Sequence, residues 1–233
     1  MTNTNNDILV VITARGGSKG IPMKNIKSLN GKPLIQYSIE LALSLFQKEQ
    51  IVVSTDHKEI QIVAQNCGIP TPALRPSYLA QDNTSTYEVL LDILKQKKSE
   101  GFYYKRLLLL QPTSPFRKLK HIEDVIKLDK PGIDMVVSVK ETKSNPYFNL
   151  FEENEFGNLI ISKKSEVSGR QYAPKVYEFN GSIYLMKTLS LEQNKISDFK
   201  TITKYVMEDS ESIDLDTQLD WDYAEFILKQ KND

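Results

Sequence analysis

Ile8-Leu-Val-Val-Ile-Thr-Ala14, running straight into Arg15-Gly-Gly-Ser-Lys-Gly20, is the stretch that decides the fold. The first seven residues carry no charge and are rich in β-branched side chains. Such a run reads as a short strand buried on both faces, the kind found in parallel sheets covered by helices. A glycine-rich loop follows, from Arg15 to about Lys32. Pro33 then opens a helical pattern, since proline is tolerated in a first turn. Leu34, Ser38, Leu41, Ala42 and Leu45 share one face at helical spacing.

The same alternation continues outward. Ile51–Ser54 predicts a second strand, and Glu59–Asn66 a short helix closed by Gly68. Thr84–Lys97 predicts a helix begun by a hydroxyl or carboxylate cap around Asp82–Thr84. Lys105–Leu110 reads as a third buried strand, stopped by Gln111-Pro-Thr-Ser-Pro115. Lys118–Leu128 is a helix, Met135–Val139 and Gly181–Met186 are strands, and Thr217–Lys229 is a closing helix. Leu219, Tyr223, Phe226 and Ile227 are expected on its inner face. This rhythm predicts an α/β fold, one domain over residues 1–233, with a mainly parallel sheet flanked by helices. Residues 140–170 break the rhythm and read as an inserted arm of short antiparallel strands around a Glu-rich turn.

The chain has 233 residues, with 30 Lys+Arg against 30 Asp+Glu. It is 40% hydrophobic and 26% charged, which excludes disorder and low complexity. Zero net charge argues against a basic nucleic-acid binder. A single cysteine, Cys67, excludes an internal disulfide framework, and with only His57 and His121 a cysteine or histidine metal cluster is not expected. The longest apolar runs are far too short for a membrane span, and Met1–Asp7 lacks the features of a secretory leader. A cytoplasmic protein is expected.

The charge balance is local rather than uniform. Thr13–Pro33 holds five basic residues and no acidic one; Glu208–Asp222 holds seven acidic residues and no basic one. The loop Arg15–Asn25 sits where ligands bind, at the carboxyl end of a first strand. Its glycines allow backbone N–H groups close to phosphate oxygens, and Arg15, Lys19 and Lys24 add positive charge. It is neither a G-x-G-x-x-G fingerprint nor a Walker A loop. The plain alternative is a solvated turn with surface lysines. Asp214-Leu-Asp216 places two carboxylates at i and i+2, on one side of an extended segment, which suits Mg²⁺. The alternative is a helix cap by Asp216. Gln111, Thr113 and Ser114 offer neutral groups to a polyhydroxylated ligand, or simply form a turn. Arg170 suits a substrate carboxylate, or a surface ion pair. His57, at a strand end, is a loop histidine near the rim of the site. No G-x-S-x-G motif supports a hydrolase triad, and Cys67 reads as a packing residue.

Ala14-Arg-Gly-Gly-Ser-Lys-Gly20 with Lys24-Asn25, Gln111-Pro-Thr-Ser-Pro-Phe-Arg117 and Ser212-Ile-Asp-Leu-Asp-Thr217, in this order, resemble the acylneuraminate cytidylyltransferases, the CMP-sialic acid synthetase family. The resemblance covers about Ile8 to Leu228. It implies a Rossmann-like nucleotidyltransferase fold and a reaction in which CTP and a nine-carbon 2-keto sugar acid give a CMP-sugar and pyrophosphate, with Mg²⁺. It implies that Arg15, Ser18, Lys19, Lys24 and Asn25 hold the triphosphate, and that Arg75, Thr84 and Thr86 contact cytidine. Arg15, Lys24 and Asp216 would be catalytic, and Asp214 and Asp216 would bind the metal. Gln111, Arg170, Gln171, Asn180 and Tyr184 would line the sugar site. The arm at 140–170 resembles the family's dimerisation segment, so that Arg170 would act in trans within a homodimer. Kdo cytidylyltransferases carry a different loop, with Leu-Gly-Ser-Thr-Arg. Asn145-Pro-Tyr-Phe148 differs from the His-Pro-Leu-type stretch of some sialic acid enzymes and favours a legionaminic-type acid. The alternatives are a cytidylyltransferase for Kdo or another sugar, and a CTP-binding regulatory domain without catalysis.

Overall fold

Strand β1 (Ile8–Thr13) pairs in parallel with β4 (Ile51–Ser54) on one side and β5 (Arg106–Leu110) on the other. The computed structural model describes residues 4–18, 20–70, 74–81, 83–164 and 169–230, the side chains of residues 4, 5 and 170 excepted. β9 (Tyr177–Lys187) runs antiparallel to β5 and to β6 (Met135–Glu141), and β10 (Ile202–Val206) pairs in parallel with β6. The six strands lie in the order β10-β6-β9-β5-β1-β4. The parallel strands therefore end along one edge, and β9 begins there.

Why β1 is apolar throughout is visible in its packing. Ile8, Val10 and Ile12 face a cluster with α1 (Leu34–Leu43), α2 (Lys58–Asn66) and α4 (Leu119–Leu128). Leu9 and Val11 face the opposite cluster, with α3 (Thr86–Ser99) and α5 (Thr188–Gln193). Successive side chains of a strand alternate between faces, so a strand covered on both must be apolar at every position. α3 is capped by Ser85, whose hydroxyl accepts from the Glu88 N–H while the Glu88 carboxylate accepts from the Ser85 N–H. The cap falls just after the segment in which the sequence anticipated it.

A third cluster positions the site. Leu215 is completely buried with Ile21, Leu29, Leu34, Phe116, Trp221 and Ala224. Ile21 and Leu29 belong to the cationic loop, Leu29 within a two-stranded hairpin of β2 (Ser28–Leu29) and β3 (Lys32–Pro33), while Trp221 and Ala224 belong to α6 (Gln218–Gln230). Burying a leucine is worth roughly 1.5–3 kcal/mol. Leu215 stands between Asp214 and Asp216, so its burial carries both carboxylates to the loop.

The inner face of α6 differs from expectation. Trp221 and Ala224 are buried and Ile227 packs behind them, whereas Leu219, Tyr223 and Phe226 are exposed. The helix has two apolar faces, and the one carrying the indole docks. The arm forms the antiparallel pair β7 (Phe151–Glu153) and β8 (Leu159–Ile161), joined by a turn in which the Asn154 Oδ1 accepts from the Phe156 and Asn158 N–H groups. β2, β3, β10 and α5 were not anticipated from the sequence. β10 is an edge strand without a fully buried residue, so it lacks the apolar run that marks the inner strands.

Candidate active site

The cationic loop is fastened at three points. The Asn25 Nδ2 donates to the Arg15 carbonyl at 2.9 Å, the Gly16 N–H donates to the Asp56 Oδ1 at 2.9 Å, and the His57 ring lies against Gly16. Asp56 and His57 follow the carboxyl end of β4, so the second parallel strand supports the loop that leaves the first. Lys24 then reaches across. Its Nζ donates to the Leu215 carbonyl at 2.5 Å and to the Asp216 Oδ1 at 2.9 Å. Gly20 touches the same segment: a Cβ there would lie 2.1 Å from the Asp216 carbonyl oxygen, so only glycine fits.

Asp216 does not cap α6. Thr217 does: its hydroxyl accepts from the Asp220 N–H, and the Asp220 Oδ2 accepts from the Thr217 and Asp216 N–H groups. Asp216 is thereby left to face the loop, which removes the plain alternative for this residue. Asp214 is different. One of its oxygens, Oδ1, is buried without a hydrogen-bond partner. Burial pushes its carboxyl pKa up and the Asp216 charge adds to this; a hydrogen bond from Thr113 and the Lys24 charge pull it down.

Between the loop and Asp216 opens a cavity of about 570 Å³. Arg15, Ser18, Lys24, Asn25, Arg75, Thr84, Thr86, Gln111 and Asp216 all line it, from five separate stretches of sequence. Arg75 is anchored at the end of β4, with Nε and Nη2 donating to the Ser54 hydroxyl and carbonyl oxygens at 3.1 and 2.7 Å. Burial lowers its pKa. The Leu215 N–H donates to the Thr113 carbonyl, which ties the Gln111–Pro115 turn to the carboxylate segment. A second cavity of about 450 Å³ is lined by Asp214, Asp220, Lys140, Phe179, Asn180 and Tyr223, among others. The Asp214–Asp216 segment thus stands between the two.

The remaining expected residues divide. Lys19 and the Arg170 side chain lie outside the described residues. Asn180 lines the second cavity, but its amide is committed internally. Its Nδ2 donates to the Ser212 hydroxyl and Met207 sulfur, and its Oδ1 accepts from the Ser138 hydroxyl and the Ser182 N–H. It locks the β-bulge where the β6–β9 register shifts between Val137 and Val139. Gln171 is exposed in the turn Arg170–Tyr172 and lines neither cavity. Tyr184 packs against the second core cluster, edge-on to Phe179, and also lines neither cavity. Sequence reasoning missed Asp56 as a support of the loop; its place at the end of a parallel strand was the available signal.

The donor set suits a hard divalent cation. No group of three or more His, Cys, Asp or Glu converges among the described residues. Two carboxylates, one with an unpartnered buried oxygen, facing cavities with room for phosphate oxygens are what a Mg²⁺ ion of incomplete protein coordination takes.

A Rossmann-like sheet with a cationic glycine loop at its carboxyl edge, facing two carboxylates, defines a nucleotidyltransferase of the α/β class. Comparison with known proteins narrows this. The family described as Cytidylyltransferase matches residues 9–150. The chain is 37% identical to the CMP-N,N'-diacetyllegionaminic acid synthase of Legionella pneumophila, over 95% of this chain and 96% of that one. It is 32% identical to the N-acylneuraminate cytidylyltransferase of Escherichia coli, over 97% of this chain but 53% of that longer protein. The solved structure of a CMP:2-keto-3-deoxy-manno-octonic acid synthetase complexed with CTP superimposes with a TM-score of 0.69 at 16% identity, covering 96% of this chain and 99% of that one, a likeness of fold. The chain belongs to the acylneuraminate cytidylyltransferase family of CTP-dependent enzymes.

Proposed function

We propose that this enzyme is a Mg²⁺-dependent, homodimeric cytidylyltransferase that joins CMP to a nine-carbon 2-keto sugar acid of the N,N'-diacetyllegionaminic type. The observation that carries the reading is the Lys24–Asp216 contact, which links a phosphate-type loop to a carboxylate pair 192 residues away at a cavity of nucleotide size. The Legionella relative, similar over nearly its whole length, supports the choice of acid.

Arg15, Ser18, Lys19, Lys24 and Asn25 hold the triphosphate in this reading, and Arg75, Thr84 and Thr86 the cytidine. The anomeric hydroxyl of the acid attacks the α-phosphorus in line. A new O–P bond forms, the bond to the β-phosphate oxygen breaks, and pyrophosphate leaves with the electron pair. The hydroxyl is more acidic than a plain alcohol, so its proton passes to solvent water with only modest base assistance. Such transfers are accelerated by alignment and by fixed charge where negative charge develops. Lys24, held before substrate arrives, supplies that charge to the leaving pyrophosphate. Asp214 and Asp216 would hold Mg²⁺, which when bound adds charge neutralisation at the phosphate oxygens.

Gln111 faces the sugar acid, with Arg170, Gln171 and Tyr184 completing the site. The exposed Phe151, Phe156, Leu159 and Ile160 of the arm support its covering by a second copy, since two three-residue strands bury no face of their own. Arg170 of that second copy would then act in trans. No helix among the described residues is long and apolar enough to cross a membrane. Use of CTP points to the cytoplasm, where nucleoside triphosphates are available.

Pyrophosphate release with CTP and each of three acids tests the proposal. N,N'-diacetyllegionaminic acid is expected to give the highest kcat/KM, by about tenfold or more over N-acetylneuraminic acid and over Kdo. A preference for either other acid reassigns the substrate. A CTP-induced thermal shift without pyrophosphate release from any acid would instead mark a regulatory nucleotide-binding domain.

A further inference from the structure

Arg117 is 3% exposed, and among the described residues no carboxylate pairs with it. Buried arginines ordinarily sit beside a counter-ion. This one donates to three neutral oxygens on three different parts of the fold. Its Nε reaches the Ser182 hydroxyl on β9 at 3.0 Å, its Nη1 the Ser38 hydroxyl on α1 at 3.2 Å, and its Nη2 the Gln111 carbonyl at 2.6 Å. Burial lowers its pKa to about 9, so it stays charged at neutral pH.

The Gln111 carbonyl is an unusual handle. Pro112 follows, so the peptide between them has no N–H to hold it in place. The carbonyl is the one group through which that peptide can be hydrogen-bonded, and Arg117 and the Ser38 hydroxyl share it. Gly181, the neighbour of Ser182, has φ +71°. A Cβ on Gly181 would lie 3.2 Å from the Gln111 Oε1 and 3.2 Å from the Asp214 Oδ2. The guanidinium therefore spans from the backbone of Gln111 to the residue beside Gly181, and the Gln111 and Asp214 side chains both lie close over that glycine.

We propose that Arg117 is a positioning residue for the sugar acid: its rigid three-way fork sets where the Gln111 side chain stands relative to Gly181 and Asp214. This rests on the reading above that Gln111 faces the acid. A lysine keeps the charge but not the planar fork, so it cannot hold all three oxygens.

The test is steady-state kinetics of Arg117→Lys, Ser182→Ala and Ser38→Ala, with whichever acid the wild-type enzyme turns over fastest. Arg117→Lys is expected to raise KM for the acid about tenfold or more, with KM for CTP within about twofold, because small misplacements of a binding group are costly. Ser182→Ala, which removes one arm of the fork, is expected to raise KM for the acid about threefold in the same one-sided way. A merely structural role would lower the folded fraction and the apparent kcat while leaving both KM values unchanged, or would raise both together; either result overturns the proposal. Should Arg117→Lys fail to fold, the two serine variants decide by the same criterion. Absence of turnover of any acid by the wild-type enzyme would sink the functional reading itself, a result distinct from unchanged KM values in the variants.

Discussion

The loop over residues 15–32 and the segment over residues 208–222 meet at one contact, yet they house their charges in opposite ways. Lys24 is nearly enclosed, its side chain 11% exposed, and both of its acceptors are in place. Asp216, its partner, is 71% exposed, and Asp214 keeps a buried oxygen with no partner at all. The cation is thus finished before any ligand binds, while the carboxylates are unfinished. An ion pair so exposed on one side contributes at most about 1 kcal/mol. What fixes the two regions together is the buried Leu215 and the close fit of Gly20, and the charges follow.

Four variants can break or sharpen this contrast. The largest effect is expected from Lys24→Met, which removes the finished half. The kcat/KM for CTP should fall about 10²–10³-fold, as when one preorganised electrostatic donor is lost. An unchanged value would end its assignment to the triphosphate. Gly20→Ala comes next. Its new Cβ has no room beside the Asp216 carbonyl, so the loop must withdraw from the carboxylates. KM for CTP should rise about tenfold in the same assay, with the loss attributable to misplacement alone.

Asp214→Asn separates stability from activity in the unfinished half. The folded Asp214 pKa is raised, so the native metal-free protein holds a proton more tightly there than the unfolded chain does. Its contribution to stability is therefore present at low pH and lost as pH rises from the ordinary carboxylate value through the raised one. In EDTA near pH 7 the variant should melt a few degrees higher than wild type, about 2–4 °C. It should also lack the Mg²⁺-induced rise in Tm and turn over poorly. A lower Tm in EDTA would contradict the unpartnered state of that oxygen. Thr217→Ala is expected to do least: it removes the α6 cap at a cost of about 1 kcal/mol, seen as a lower Tm, with kcat within about twofold of wild type. If its activity fell as far as that of an Asp216 variant, capping and ligand-facing roles would not be divided between neighbours as described.

Much of this was legible in the sequence for a physical reason. β1 is enclosed on both faces, so its whole length is apolar, and the loop after it needs glycines and cations wherever it stands. Local composition therefore reports both. The face of α6 was not legible, because Leu219, Tyr223 and Phe226 form as regular a stripe as Trp221 and Ala224, and only the third cluster chooses between them. The choice between metal ligand and helix cap at Asp216 was equally closed to the sequence; it depended on Thr217 and Asp220 taking the cap. Arg117 sits beside a recognisable turn, but its enclosure is a product of α1, β5 and β9 together. The family resemblance implied a sugar contact for Asn180; that its amide is also bonded to Ser138, Ser182, Met207 and Ser212, from three separate stretches, could not be read from the sequence. Gln171 is exposed in its turn and Tyr184 packs against the second core cluster, so neither lines a cavity, and which way such side chains turn was not written in the local sequence.

Glu141 at the end of β6 faces Tyr177 at the start of β9, at the rim where the parallel strands end. Everything between them leaves the sheet and returns to it through one adjacent pair. Closing a longer excursion costs little more than closing a short one, because the entropy of closure grows only with the logarithm of length. The antiparallel sense of a single strand thus makes this interval a graftable cassette. A change in its length leaves the order and pairing of the other strands as they are.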